Sequence, residues 1–289
     1  MTTAIARSAT TAVTKRKTPM AEWAFIFAIP YVALFLLFIG YSVVYGFWLG
    51  RGPANYLQLF ANETYRTAIV NTLIYLALGV NVKMVLALLL SGFFAIPRWW
   101  AKGLLVVFIL PWAIPAVPAF LSIHWMLSGN GMMNAILHDI GISHTPEWLL
   151  TRPWAMASAL GAYIWKWLPF WTIILLAARM ALPKDVYEAA EVDGATSVKR
   201  FFHVTFPLLR NVYLTSTLLS TIWTLSDYNT IHFVTGGGPF DATQVFATLG
   251  IQYAFDMGDI GQGIAIALTA LPVIVPLVAI LVVRLKREG

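Results

Sequence analysis

Six apolar stretches constrain this chain more than anything else in it. They lie at about 22–48, 67–95, 103–127, 154–179, 211–234 and 262–283. A membrane-spanning helix needs roughly 20 apolar residues, and each stretch is near or above that length. Only 11% of the 289 residues are charged, against about 25% in an ordinary soluble domain, and mean hydropathy is +0.74. Most of the chain therefore belongs in lipid, and the sequence predicts an all-α integral membrane protein of six transmembrane helices.

The basic residues set the orientation. On one side of the spans lie Arg7, Lys15, Arg16 and Lys17, then Arg98 and Lys102, then Arg179, Lys184, Lys199, Arg200 and Arg210, then Arg284, Lys286 and Arg287. The other side has Arg51, Arg66 and Arg152. Basic loops stay in the cytoplasm, so both termini and the loop at about 180–210 are expected there. The net charge of +6 thus reports orientation and does not point to a nucleic acid. The basic start does not read as a signal peptide, because the apolar run after it is too long and lacks a small-residue cleavage site. The expected layout is a cytoplasmic tail over 1–21, a transmembrane domain over 22–284 and a cytoplasmic end over 285–289.

Catalytic chemistry is not evident. The chain has no cysteine, hence no disulfide framework and no thiolate metal site. The five histidines show no ligand spacing, and no metal site is expected. Gly236 to Gly238 are not followed by Lys-Ser/Thr and fall on the external side, so they do not form a phosphate loop. No Ser/His/Asp array or carboxylate pair suggests hydrolysis. Three ionisable residues lie inside spans: Lys83, Lys166 and Asp227. Such residues usually face a bundle interior or a wet cavity. Lys83 is open to a structural reading. Lys166 and Asp227 flank the 180–210 loop at similar depth, which predicts an ion pair or two charges facing one polar cavity. Ser220, Trp223, Thr224 and Asp227 follow i, i+3, i+4, i+7 and would share one helix face. Pro111, Pro115 and Pro118 are too dense for a straight helix and predict a bend.

Within the cytoplasmic loop, Tyr187 to Asp193 reads as a helix that Gly194 ends. A second short helix is expected from Ser197 to Thr205, stopping before Pro207. Two such helices at an angle make a knob. The stretch Glu188-Ala189-Ala190-Glu191-Val192-Asp193-Gly194-Ala195, continuing to Pro207, resembles the EAA loop of ATP-binding-cassette (ABC) importer permeases, and carries the EAA-x-x-DGA form of the sugar branch in full. It departs at Val204 and Phe206, where isoleucine and leucine are usual. Asn55-Tyr56, the Ser128 to Arg152 segment and Thr235-Gly236-Gly237-Gly238-Pro239 resemble other signatures of that branch, in order and on the expected faces.

The resemblance implies a type I ABC importer permease in a bacterial or archaeal inner membrane. Glu188, Ala189, Ala190, Asp193, Gly194, Ala195 and Pro207 would couple it to ATPase subunits. By similarity to the maltose-permease branch, the substrate pathway would use Trp165, Phe170, Ser220, Trp223, Thr224 and Asp227, with Lys166 beside them. Implied partners are a second homologous permease, two cytoplasmic ATPases that bind the ATP, an external solute-binding protein and membrane lipid. No cofactor is expected on this chain, and no enzymatic activity of its own. The solute class stays open among sugar, polyol, glycerol and glycerol phosphate. Two other readings compete: an integral-membrane lipid-handling transferase, which would need a carboxylate- or histidine-rich loop at the membrane face, and a stand-alone secondary transporter, which would need an inverted repeat with broken helices.

Overall fold

The computed structural model describes residues 19–288, which form helices joined by turns, with no strand among them. The basic tail residues Arg7, Lys15, Arg16 and Lys17 lie outside the described residues. The chain divides into two compact units, one ending at Trp48 and the other beginning at Leu49. In chain order the helices are α1 (Trp23–Gly50), α2 (Pro53–Ala61), α3 (Glu63–Phe94), α4 (Trp99–Ala113), α5 (Ala116–Leu127), α6 (Met132–Asp139), α7 (Arg152–Met180), α8 (Lys184–Val192), α9 (Ser197–Arg200), α10 (Phe206–Leu225), α11 (Asn229–Val234), α12 (Phe246–Ile251), α13 (Ile260–Leu268) and α14 (Leu271–Glu288).

Four helical runs are long and apolar enough to cross a membrane: α1, α3, α7 and the run Ile260–Ile280. The α4–α5 pair makes a fifth if its two halves, bent by 94°, count as one span. The stretch expected at 211–234 is not one helix. α10 has 20 residues but carries Arg210, Asn211, Tyr213 and six serine or threonine side chains, and it stops at Leu225. The chain turns through Ser226 to Tyr228 before α11.

The α4–α5 bend falls inside the proline cluster, and its cause is local. In a continuous helix the Pro111 carbonyl would accept from the backbone N–H of residue 115, which is a proline and has none. α7, by contrast, runs unbroken through Pro169.

α3 and α7 form the centre of the second unit. Val80, Met84, Ala87 and Leu88 of α3 interlock with Trp171 and Leu175 of α7 and with Leu209 of α10. Close approach is set by small side chains, as between helices in lipid generally. A Cβ on Gly79 would lie only 3.3 Å from the Tyr163 ring. The two helices run parallel and are joined by polar contacts at both ends. Arg152 Nη2 donates to Asn71 Oδ1 at 3.3 Å at one end, and Arg179 Nε donates to Ser91 Oγ at 3.3 Å at the other.

α8 and α9 follow α7 at the Arg179 end. The second helix of this pair does not stop before Pro207. From Arg200 it passes through a π-turn, Phe201–Thr205, straight into α10. Pro207 is tolerated because it sits in the first turn of α10, where a missing N–H costs little. At the other end of this helix, the Thr196 carbonyl accepts the Arg200 N–H at 2.8 Å, which makes Thr196 the N-cap.

Candidate functional site

A cavity of about 320 Å³ lies where α3, α7 and the end of α10 meet. α3 contributes Lys83. α7 contributes Tyr163, Trp167 and Trp171, spaced four apart and so on one helix face. α10 contributes Ser220 and Trp223, the turn after it contributes Asp227 and Tyr228, and α11 contributes Asn229.

One wall is aromatic. Trp223 packs against Trp171 and Phe170 with both ring centroids 5.5 Å away, and Phe170 is braced from behind by Trp112 at 5.7 Å. Trp223 remains 50% exposed, so its face is open to a ligand.

Beside it runs a directed chain of hydrogen bonds. The Lys83 ammonium, 1% exposed, donates to the Tyr163 hydroxyl at 2.5 Å. Tyr163 then donates to Thr224 Oγ1 at 2.5 Å, and Thr224 donates to the Ser220 carbonyl at 2.6 Å. An ammonium at one end and a carbonyl at the other fix the direction of every proton between them. Lys83 Nζ also lies 4.2 Å from the Tyr163 ring centroid and 5.9 Å from that of Trp171, within cation–π range.

Asp227 has its own partners. Its carboxylate accepts from Thr230 Oγ1 at 2.6 Å, from the Thr230 backbone N–H at 3.3 Å and, at the long limit of 3.4 Å, from Tyr75. These bonds begin α11 and explain why a charged residue ends one helix here and starts another. Lys83 and Asp227 face one cavity but form no ion pair. Among the described residues the one ion pair is Arg200–Glu191, far from this site. Ser220 Oγ is buried beside the Tyr163 hydroxyl without a hydrogen bond. The cavity thus offers a cation, an anion and a flat aromatic face to one ligand.

The residues that sequence spacing grouped together are sorted differently in space. Ser220, Trp223 and Asp227 do line the cavity, but Asp227 lies past the end of α10 and not on its face. Thr224 is buried behind, bonded to Tyr163, and Phe170 supports the aromatic wall. Trp165 faces another cavity, about 560 Å³, together with Trp148, Trp154 and residues of α5.

Lys166 neither pairs with Asp227 nor shares its cavity. Its ammonium donates to the carbonyls of Pro111 at 2.7 Å, Trp112 at 3.3 Å and Ile114. Those are the orphan acceptors of the broken α4 end, where a cation also meets the negative end of the helix dipole. Lys83, Tyr163, Trp167 and Trp171 are among the cavity residues that sequence reasoning left out of the site, with Tyr228 and Asn229. The signal was present in the lysine buried in a span and in the aromatic repeat every fourth residue.

At the knob, α8 closes on Gly194 at φ +72°. The Ala195 N–H reaches the Ala190 carbonyl at 2.9 Å and the Gly194 N–H reaches the Glu191 carbonyl at 3.1 Å. That pair of bonds is a Schellman closure. Ala190 is buried against the turn, while Glu188, Ala189 and Asp193 are exposed. Val192, 89% exposed, and Phe202 add apolar surface to the tip. Tyr187 ties the knob to α10 through a 3.3 Å bond to Thr205 Oγ1. At the opposite end of the molecule, the Thr235 to Pro239 stretch is a tight turn pinned by Thr243, whose hydroxyl donates to the Gly238 carbonyl at 2.6 Å.

Residues 83–287 match the family described as binding-protein-dependent transport system inner membrane component. The trehalose/maltose transport system permease protein of Thermococcus litoralis is 32% identical over 273 residues, covering 88% of this chain and 90% of that one. The lactose transport system permease protein of Rhizobium radiobacter is 32% identical over 233 residues, covering 75% of this chain and 78% of that one. In the crystal structure of a bacterial alginate ABC transporter in complex with an alginate pentasaccharide-bound periplasmic protein, one chain superposes with a TM-score of 0.82 at 21% identity, over 91% of this chain and 93% of that one.

Proposed function

This chain belongs to the binding-protein-dependent transport system inner membrane component family, and on that premise we propose that it passes a neutral sugar or sugar-like solute through the cavity between α7 and α10. The observation that carries the reading is the composition of that cavity. A flat aromatic wall suits the C–H face of a sugar ring, and hydroxyls suit Lys83, Ser220 and Asp227. Lys83 and Asp227 carry opposite charges, so the cavity favours a solute with no net charge. Its volume lies near the lower bound of ligand sites, roughly 300–1,000 Å³, which fits a small sugar and not a long chain. The names of the relatives, trehalose/maltose and lactose permeases, point the same way.

In this reading a second permease completes the pathway and an external binding protein delivers the solute. Two cytoplasmic ATPases bind and hydrolyse ATP. Glu188, Ala189, Ala190, Asp193, Gly194 and Ala195 form the docking knob, with Pro207 in the first turn of the helix behind it. The direct run of the knob into α10 supports this role: a push on the knob is delivered to the helix that carries Ser220 and Trp223. The positive side of the chain faces the cytoplasm together with both termini.

Uptake of labelled maltose, trehalose and lactose by the assembled transporter, compared between wild type and Trp223→Ala, tests the assignment. Loss of the open ring face is expected to raise the half-saturating solute concentration on the order of tenfold, with the chain still in the membrane. An unchanged uptake curve for every transported sugar would exclude this cavity as the pathway.

A further inference from the structure

A second cleft, of about 560 Å³, opens at the end of the second unit opposite the knob, between the first turns of α3 and α7. Its lining is Ala61, Glu63, Arg66, Thr67, Val70 and Arg152. Basic residues are scarce on this side of the chain; besides Arg51 there are only these two arginines, and both converge here. Neither forms an ion pair among the described residues, although Glu63 lines the same cleft. Each is held in place by one neutral bond. Arg66 Nε donates to the Phe60 carbonyl at 3.0 Å, and Arg152 Nη2 donates to Asn71 Oδ1 at 3.3 Å. The other guanidinium N–H groups have no acceptor among the described residues, and two guanidiniums against one carboxylate leave the cleft with a net positive charge.

Its level and surroundings restrict what can bind. α3 and α7 are both candidate spans, and the cleft lies where both begin, the level at which a span of that length would meet the membrane surface. Four residues after Arg66, Val70 enters the cleft from the same helix face, and Leu73 continues that face away from it. Both side chains are about half exposed. An anionic head at the arginines would therefore have an apolar strip beneath it for a chain to follow.

We propose that Arg66 and Arg152 bind the phosphate of an acidic phospholipid in the outer leaflet, with an acyl chain along Val70 and Leu73. Guanidinium forks match phosphate oxygens in bidentate geometry, and arginine is less tightly hydrated than lysine, which suits a half-dry interface. Glu63 excludes a second anionic group and leaves the site selective for one phosphodiester. The proposal concerns a surface separate from the solute cavity and is independent of what the chain transports.

The test uses the full-length chain in neutral detergent, titrated with short-chain phosphatidylglycerol, short-chain phosphatidylcholine or inorganic phosphate, with thermal unfolding as the readout. Phosphatidylglycerol is expected to raise the unfolding midpoint at lower concentration than phosphatidylcholine. Arg66→Gln should weaken the response on the order of fivefold, the usual worth of one basic residue at an anionic membrane surface. That variant loses one bond to a neighbouring turn, so the fold should survive it. Arg66→Gln with Arg152→Gln should erase the difference between the two lipids, and the double lysine variant should restore part of it. Equal responses to both lipids in wild type, or a lipid preference that persists in the double glutamine variant, would overturn the proposal. Inorganic phosphate acting as strongly as phosphatidylglycerol would make this a free-phosphate site and end the lipid assignment. A pair indifferent to lipid whose removal abolishes capture of the external binding protein would belong to a protein carboxylate, with the same consequence.

Discussion

Two of the turns that interrupt helices in this chain, at Gly194 and at Asp227, are built on opposite principles. The first is exposed and made of backbone. Gly194 takes φ +72°, two backbone bonds close the helix, and a Cβ placed on Gly194 would meet nothing within 4 Å. The second lies inside the protein and is made of side chains. Asp227 ends up between Thr230, Tyr75 and a cavity that also holds Lys83. A turn written in backbone chemistry can be moved as a unit by a partner. A turn written in buried polar groups is tied to whatever fills the cavity. The proposed roles follow that contrast, coupling for the first and solute response for the second.

Asp227→Ala should break the comparison most severely. It removes the acceptor for both Thr230 donors and leaves the Lys83 ammonium as the one charge in the cavity. The expected loss is on the order of 3 kcal/mol in thermal unfolding of the detergent-solubilised chain. Adding Lys83→Met should recover much of that stability and none of the transport. If stability stays low in the double variant, the charge balance across the cavity is not what holds the turn.

Gly194→Val should cost less, about 1–2 kcal/mol for a left-handed residue with a Cβ, while ATPase coupling is lost almost completely. Gly194→Asn, which tolerates that conformation, should keep most of the coupling. Since the chain has no cysteine, a single one at Lys199 also reports which side the knob faces, and labelling is expected from the cytoplasm alone. Normal ATP-driven uptake by Gly194→Val would show that knob geometry is dispensable.

Arg200→Ala sharpens the contrast from the small end. Its ion pair with Glu191 measures 3.6 Å, and Glu191 is 75% exposed, so solvent screens it. Less than about 1 kcal/mol should be lost, with uptake unchanged. A larger loss of stability would mean that side chains as well as backbone hold the knob.

The same contrast explains what could be read in advance. Gly194 and the Pro111–Pro115 bend were legible because the residue that causes each turn also marks it. The turn at Ser226 to Tyr228 contains neither glycine nor proline, so helical spacing was carried through Asp227 and one residue too many was placed on the α10 face. Lys166 and Asp227 were matched by depth, which residue counting provides. Direction around the helix axis was missing, and Lys166 in fact turns to α4 while Asp227 faces α3. Lys83 seemed the weakest of the buried charges because its partner, Tyr163, is 80 positions away, a separation that no local pattern encodes. The aromatic run from Tyr163 to Trp171 was visible as sequence, but only packing decided that Trp167 and Trp171 line the cavity while Trp165 does not.

The polar contacts that join α3 and α7 at both ends have a mechanical consequence. Two rods riveted at a single point can pivot like scissors, whereas two riveted at each end behave as one plank. With Arg152 on Asn71 and Arg179 on Ser91, neither helix can slide along the other without breaking a rivet. The cavity wall formed by Lys83, Tyr163 and Trp171 is therefore mounted on that plank.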